Sequence, residues 1–362
     1  RPEQRLYAGG VKAADREAAA LAEGISRFRA AKVVFWVFTL VFATSVRCSP
    51  LTTIALPGFL VDHFPLKAAS EFVRLDKLIE GTGLDVRIAY RDDGRPIHLP
   101  ELKNIRLVPL KSIPYFYNLA VLPAYLRRTH AFYVGLASDM LLTRRSVVVL
   151  HDIRPLVMDT DKGFFRFKFW VHCLSTKWFA QRVFTVSDNQ RHLISEKLGI
   201  PLDKIGITYN GWEHMKNVTP DESIFDKMPG IKKGEYFYAL GSLAKHKNFK
   251  WIREVARRSP DKTFVVAGGK DLRAFGDDAE AKDTHNVFYP GYVSDAENAA
   301  LMKHCKLFLH PAVFEGFGIP PLEALALGAP VALANATCLP ELYGDTARYF
   351  DPYDYDVDLD AL

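Results

Sequence analysis

The chain has little cysteine. Cys48, Cys173, Cys305 and Cys338 are the four in 362 residues, widely spaced and without a C-x-x-C pair. That spacing argues against a metal cluster or a disulfide framework, and reduced, buried thiols of a cytoplasmic protein are expected. Long apolar runs are also missing. The most apolar stretch, residues 33–43 (VVFWVFTLVFA), falls well short of the about 20 residues that cross a bilayer. A buried strand is expected there, with an interfacial helix as the alternative. No convincing small-residue cleavage site accompanies it, so a cleaved signal peptide is not expected. Internal repeats are absent too: no Gly-X-Y period, no heptad array, no solenoid unit. What is present is a globular composition, 49% hydrophobic and 25% charged, which excludes disorder. At about 150 residues per domain, two domains are expected.

Acid is scarce in the first half. Residues 1–212 hold 30 Lys/Arg against 19 Asp/Glu, a net +11, whereas residues 213–362 hold 17 against 23, a net −6. Two bodies with different partners are expected. The basic half suits an anionic lipid surface or an acidic substrate. Nucleic acid is not expected, because no recognised binding motif accompanies the charge. Residues 163–182 (GFFRFKFWVHCLSTKWFAQR) combine five Phe, two Trp and, counting His172, five basic residues with no acid. A helix of this kind can lie in a headgroup layer with its aromatic side down. The alternative is an aromatic core helix with an exposed basic side.

Strands and helices alternate along the chain. Residues 1–31 read as a polar, Ala-rich helix, and 92–96 (DDGRP) as a turn. Strands are expected at 53–56, 85–90, 106–109, 146–150, 182–186 and 205–208; the uniformly apolar 146–150 (SVVVL) suits a central parallel strand. Residues 66–80 have helical apolar spacing. Ser187 is placed to cap a helix that stops at Gly199. Residues 213–234, polar and broken by Pro220, Pro229 and Gly230, read as a domain linker. A second series follows, with strands at 236–240, 263–267, 287–289, 306–310 and 330–333 and helices at 248–259, 295–304 and 320–326. Two parallel sheets with helices on both faces are implied, with ligands at the carboxyl ends of the strands.

The strongest chemical signal is residues 310–331, HPAVFEGFGIPPLEALALGAPV. Gly316 and Gly318 let the backbone pass close to a ligand. Pro320 and Pro321 suit a first helical turn. The free N–H groups of that helix then point back over the glycine loop, a site for a diphosphate or for sugar hydroxyls. Glu315 in the loop and Glu323 in the helix can accept hydrogen bonds from ligand hydroxyls.

Glu315 and Glu323, set in E-G-F-G-I-P-P-L-E-A, resemble the signature of retaining glycosyltransferases of family 4. The resemblance implies an α/β protein of GT-B fold, with two Rossmann-like domains facing across a cleft. Residues 1–50 form an N-terminal extension, 51–212 the acceptor domain and 213–362 the donor domain. Residues 239–248 (ALGSLAKHKN) resemble the family segment in which a glycine backbone and a lysine hold the donor diphosphate, roles that fall on Gly241, Ser242 and Lys247. His246 stands where an arginine is usual. Gly291-Tyr292-Val293-Ser294 resembles the loop whose backbone meets the nucleobase, so Tyr292 and Val293 are donor-site candidates. The strand-end His151 matches a histidine found beside the transferred sugar. Gly316, Phe317, Gly318 and Ile319 complete the phosphate-facing loop. Helices that cross back to the first domain, usual in the family, are not expected after Pro352.

The implied reaction moves a hexose from a nucleotide-diphosphate sugar to an acceptor hydroxyl with retention, with His151, Lys247 and Glu315 as the catalytic set. The donor is a substrate, and no cofactor or metal is expected. The acceptor is expected to be a glycan or polyprenyl-linked lipid in cell-surface glycan synthesis, with the protein cytoplasmic or peripheral at the inner membrane face. A binding subunit of the same fold and a sugar-nucleotide epimerase are the alternatives. A nicotinamide oxidoreductase is disfavoured, since Gly268-Gly269 is no G-x-G-x-x-G turn. The acidic 351–356 (DPYDYD) reads as solvated rather than as a metal site.

Overall fold

The computed structural model describes residues 51–55, 72–73, 75–92, 101–113, 116–136, 143–158, 163–242, 244–268 and 284–362. The expectations for residues 1–50, for the first part of 66–80 and for the turn after Asp92 lie outside them. The chain divides into two compact units, the first ending at Tyr209 and the second formed by Asn210–Leu362 among described residues.

The first unit is a parallel sheet of seven strands: β1 (Leu51–Ala55), β2 (Asp85–Asp92), β3 (Ile105–Lys111), β4 (Phe132–Gly135), β5 (Ser146–Val149), β6 (Arg182–Thr185) and β7 (Ile205–Ile207). Their order in space is β3-β2-β1-β4-β5-β6-β7. Every residue of β4 and β5 is buried, as central parallel strands require. Helix α1 (Leu122–Thr129), the long α2 (Phe164–Phe179) and α3 (Asp188–Leu198) belong to this unit. Ser187 caps α3, accepting from the Gln190 backbone N–H, and Gly199 ends it in the left-handed conformation. Neither β4 nor α1 was expected from the sequence, although Pro123 near the start of α1 is a helix-start signal; the four-residue FYVG run of β4 is too short to show a period.

The second unit is a parallel sheet of six strands: β8 (Tyr236–Leu240), β9 (Thr263–Ala267), β10 (Val287–Gly291), β11 (Leu307–His310), β12 (Val331–Ala334) and β13 (Arg348–Phe350). They lie in the order β10-β9-β8-β11-β12-β13. Helices α4 (Phe249–Arg258), α5 (Asp295–Lys303) and α6 (Ile319–Ala326) connect them. Aromatic side chains fill the core: Phe237 stacks on Phe264 at 5.3 Å, and Trp251 on Phe350 at 4.0 Å.

One expectation differs from the structure. Residues 213–234 are not a linker. They form 3₁₀ turns at Glu213–Asn217 and Glu222–Lys227 and bury His214, Met215, Ile224, Met228 and Ile231. Short turns bring single apolar residues inward without any helical or strand period, so the segment looks polar in sequence. For α2, of the two readings left open, the structure does not show the aromatic core helix. The helix buries His172, Cys173, Ser175 and Thr176 and packs Phe169 and Phe179 against the core, while Phe164, Phe165, Phe167, Trp170 and Trp178 are exposed.

Candidate active site

The chain reverses direction of travel across the second sheet between β8 and β11, which lie side by side while β9 and β12 flank them. In open parallel sheets the crevice outside the strand ends at such a reversal is where ligands bind. The segments that leave β8 and β11 are the two that the sequence singled out, residues 241–248 and 310–319.

Gly241 follows β8 and donates its N–H to the Ala267 carbonyl at 3.1 Å. Gly268 ends β9 with φ +107°, and a Cβ there would overlap the Gly241 carbonyl oxygen. This contact requires glycine for two reasons, the left-handed backbone and the close approach. Gly268→Ala is expected to lower stability by about 3 kcal/mol, read as a fall in the urea midpoint; an unchanged midpoint would show that the two loops need not touch.

Lys245–Lys247 form one 3₁₀ turn closed by Asn248 at φ 53°. The C-terminal segment pins that turn: Asn248 Nδ2 donates to the Pro352 carbonyl at 2.9 Å, and Trp251 Nε1 to the Asp354 carbonyl at 2.6 Å. The acidic 351–356 thus serves partly through its backbone, and no group of metal-ligating side chains forms among the described residues. Lys245 is exposed, whereas Lys247 turns inward and its Nζ donates to Glu315 Oε1 at 2.6 Å.

Glu315 receives a second donor. His310, the last residue of β11, is buried and lies with Nε2 3.0 Å from the same Oε1. The carboxylate can only accept, so His310 carries its proton on Nε2. Burial opposes the charge on Glu315, but the His310 hydrogen bond and the Lys247 charge outweigh it and hold its pKa down at about 2. His310 is pushed the other way from a histidine that gains charge: burial lowers its pKa, against the pull of Glu315. The pair is therefore a neutral donor and a fixed carboxylate at neutral pH.

The backbone of Glu315 is fixed as well. Its N–H donates to Thr337 Oγ1 at 3.2 Å, and Cys338 Sγ–H donates to its carbonyl at 3.2 Å. Burial raises the Cys338 thiol to about 12, so it remains a donor. Thr337 sits at φ 48°, an unusual conformation for a β-branched residue and one concentrated at functional sites.

Gly316 and Phe317 are buried in the loop, and Gly318 takes φ 84° as the N-cap of α6. A Cβ on Gly318 would come within 2.8 Å of Leu339 Cδ2, and the Gly318 carbonyl accepts from the Tyr343 hydroxyl. Ile319 opens the helix and Pro320 follows it, as expected of a helix start. Glu323, in the second turn, has Oε1 2.7 Å from Nε2 of His214.

Ser242 is exposed beside Gly241. Gly291, at φ 78°, turns the chain so that Tyr292 is 77% exposed and Val293 is buried. Ser294 and Glu297 then form a capping box on α5. In the first unit, His151 follows β5, with Nε2 2.8 Å from the Leu136 carbonyl, and the Asp152 carboxylate accepts from the Arg154 backbone at 3.0 Å. The structure thus brings Lys247, Glu315 and the α6 terminus together. Sequence reasoning missed His310, His214, Thr337 and Cys338. For His310 the signal was available: it opens the HPAVFEG motif at a strand end.

Residues 221–357 match the family "Glycosyl transferases group 1". The O-antigen chain mannosyltransferase RfbU of Salmonella typhimurium is 28% identical over 261 residues, 70% of this chain and 69% of its own length. O-antigen chain mannosyltransferase B of Escherichia coli is 29% identical over 194 residues, 49% of each chain, so the alignment spans about half of that relative. Among solved structures, sucrose-phosphate synthase from Thermosynechococcus elongatus superposes with a TM-score of 0.62 at 15% identity, covering 84% of this chain and 87% of its own. The chain has the GT-B fold, built of two Rossmann-like α/β units. These likenesses support a glycosyltransferase of that fold.

Proposed function

We propose that the protein is a retaining hexosyltransferase of family 4 type, acting in cell-surface glycan synthesis with mannose as the transferred sugar. The observation that carries the reading is Glu315, held by Lys247 and His310 where the sheet order reverses, beside the N-terminus of α6. Similarity to two O-antigen chain mannosyltransferases supports mannose as the sugar and a cell-surface glycan as the product class.

In this reading the bond from the sugar anomeric carbon to the diphosphate oxygen breaks, and negative charge grows on the leaving diphosphate. Lys247, the Gly241 backbone and the N–H groups at the start of α6 stabilise that charge without a metal. The acceptor oxygen bonds to the same face of the anomeric carbon, and its proton passes to the departing diphosphate. No enzymic nucleophile takes part. Glu315 holds hydroxyls of the transferred sugar, and Glu323 holds the donor ribose. Tyr292 and Val293 offer backbone groups to the base. His151 is assigned to the transferred sugar by the family resemblance.

The test is a panel of nucleotide-diphosphate sugars, GDP-mannose included, with a polyprenyl-linked glycan acceptor and chelator present, and product anomers read by NMR. Transfer with an inverted anomer overturns retention. Donor binding without turnover favours a binding subunit, and donor isomerisation without acceptor favours an epimerase.

The acceptor is proposed to be lipid-linked and the protein peripheral at an anionic cytoplasmic leaflet. No helix among the described residues is long and apolar enough to cross a membrane. Helix α2 instead presents Phe164, Phe165, Phe167, Trp170 and Trp178 outward, with Arg166, Lys168 and Lys177 on the same helix and no acid. Each cation near an anionic surface contributes about 1 kcal/mol. Salt screens that attraction but not aromatic insertion. Co-sedimentation with anionic vesicles is expected to weaken, without vanishing, as salt rises. No preference for anionic over neutral vesicles would overturn the lipid-facing assignment.

A further inference from the structure

We propose that His214 is a positioning residue for the donor ribose, acting through Glu323; the inference rests on the donor-site reading of Glu323 given above. His214 lies in the 3₁₀ turn Glu213–Asn217, outside the sequence motif. Its Nε2 is 2.7 Å from Glu323 Oε1, the one side-chain partner of Glu323 among the described residues. The carboxylate can only accept, so the proton is on Nε2. Nδ1 is buried with no hydrogen-bond partner.

The turn is a rigid mount. Trp212 and Met215, on either side of His214, are both buried, and the Met215 N–H donates to the Trp212 carbonyl at 2.9 Å. Glu323 is a flexible side chain on the second turn of α6, where an unheld carboxylate samples several rotamers. One oxygen fixed by His214 fixes the plane of the group and leaves Oε2 to accept from ligand hydroxyls. Preorganisation of this kind removes an ordering cost that the ligand otherwise meets on binding. A vicinal ribose diol is the chemistry such an acceptor recognises.

The test is calorimetry of GDP and UDP, and of their 2′,3′-dideoxy analogues, with the wild type and three variants. In the wild type, the better-bound diphosphate is expected to bind more tightly than its dideoxy analogue. His214→Ala is expected to weaken the ribose form about tenfold, the loss of one hydrogen bond to a charged group, and to leave the dideoxy form unchanged. His214→Phe fills the ring's space without a donor and is expected to behave as the alanine variant does. His214→Gln restores an N–H donor and is expected to recover most of the preference. Where the alanine variant does not fold, Phe against Gln makes the same comparison.

A wild-type preference for ribose that persists in full in both the Ala and Phe variants overturns the role of His214 and leaves the donor site standing. Equal loss for ribose and dideoxy forms shows a structural role and also overturns it. A wild type that binds neither diphosphate overturns the donor-site reading itself, and the ribose role falls with it.

Discussion

Lys247→Ala is expected to lower kcat/KM by about 2–4 kcal/mol of transition-state stabilisation, the cost of removing one preorganised group that meets developing charge. That is a loss of roughly 30- to 1,000-fold. Lys245→Ala is expected to change it by about twofold at most, in keeping with small effects at exposed sites. The two lysines stand in one short turn, yet only Lys247 is turned inward, where its Nζ meets Glu315. The turn is held by Asn248 and Trp251 against the C-terminal backbone, and the ammonium group is held by Glu315. Steady-state kinetics with the best donor of the panel decides the matter. Equal losses for the two alanine variants would overturn the choice of Lys247 over Lys245, and a large loss for Lys245→Ala alone would show that the missing arginine's role has passed to Lys245.

Much of this organisation was legible in the sequence, because both halves alternate buried strands with capped helices. The strand SVVVL, the Ser187 cap and the Gly199 stop all appear where composition and turn chemistry place them. Glu315 and Glu323 were legible because glycine and proline fix a loop-to-helix geometry locally. What the sequence hid is contact over distance. His214 meets Glu323 across 109 positions, and Lys247 meets Glu315 across 68. No local period encodes such a pairing. The inward residues of 213–234 were hidden for a related reason, since 3₁₀ turns bury isolated side chains. Helix α2 was left open for a different reason. Its aromatic content suggested a core helix as readily as a surface one, and only packing shows that five of its seven aromatic side chains face outward.

Glu315→Gln is expected to lower kcat about a hundredfold or more, the range for losing one preorganised electrostatic contact, while nucleoside diphosphate affinity changes little. The contrast follows from the assignment: Glu315 contacts the sugar being transferred, whereas Glu323 holds a ribose that the reaction leaves unchanged. Glu323→Gln is accordingly expected to weaken diphosphate binding. Loss of diphosphate affinity in Glu315→Gln alone would reverse the two roles. A pH series supplies a second, independent check. The folded protein holds the Glu315 carboxyl at about 2, below its ordinary 4.5, through the His310 hydrogen bond and the Lys247 charge that overcome burial. A carboxyl depressed in this way stabilises the fold above its unfolded pKa and loses that contribution as pH falls through the folded value. His310, also depressed, resists protonation in the same direction. The wild type is therefore expected to be the more stable of the two at neutral pH. Its advantage over Glu315→Gln should shrink between about pH 4.5 and pH 2, because glutamine has no proton to gain there. Parallel stability curves across that window, from urea or thermal melts, would show that the carboxylate is not held ionised by Lys247 and His310.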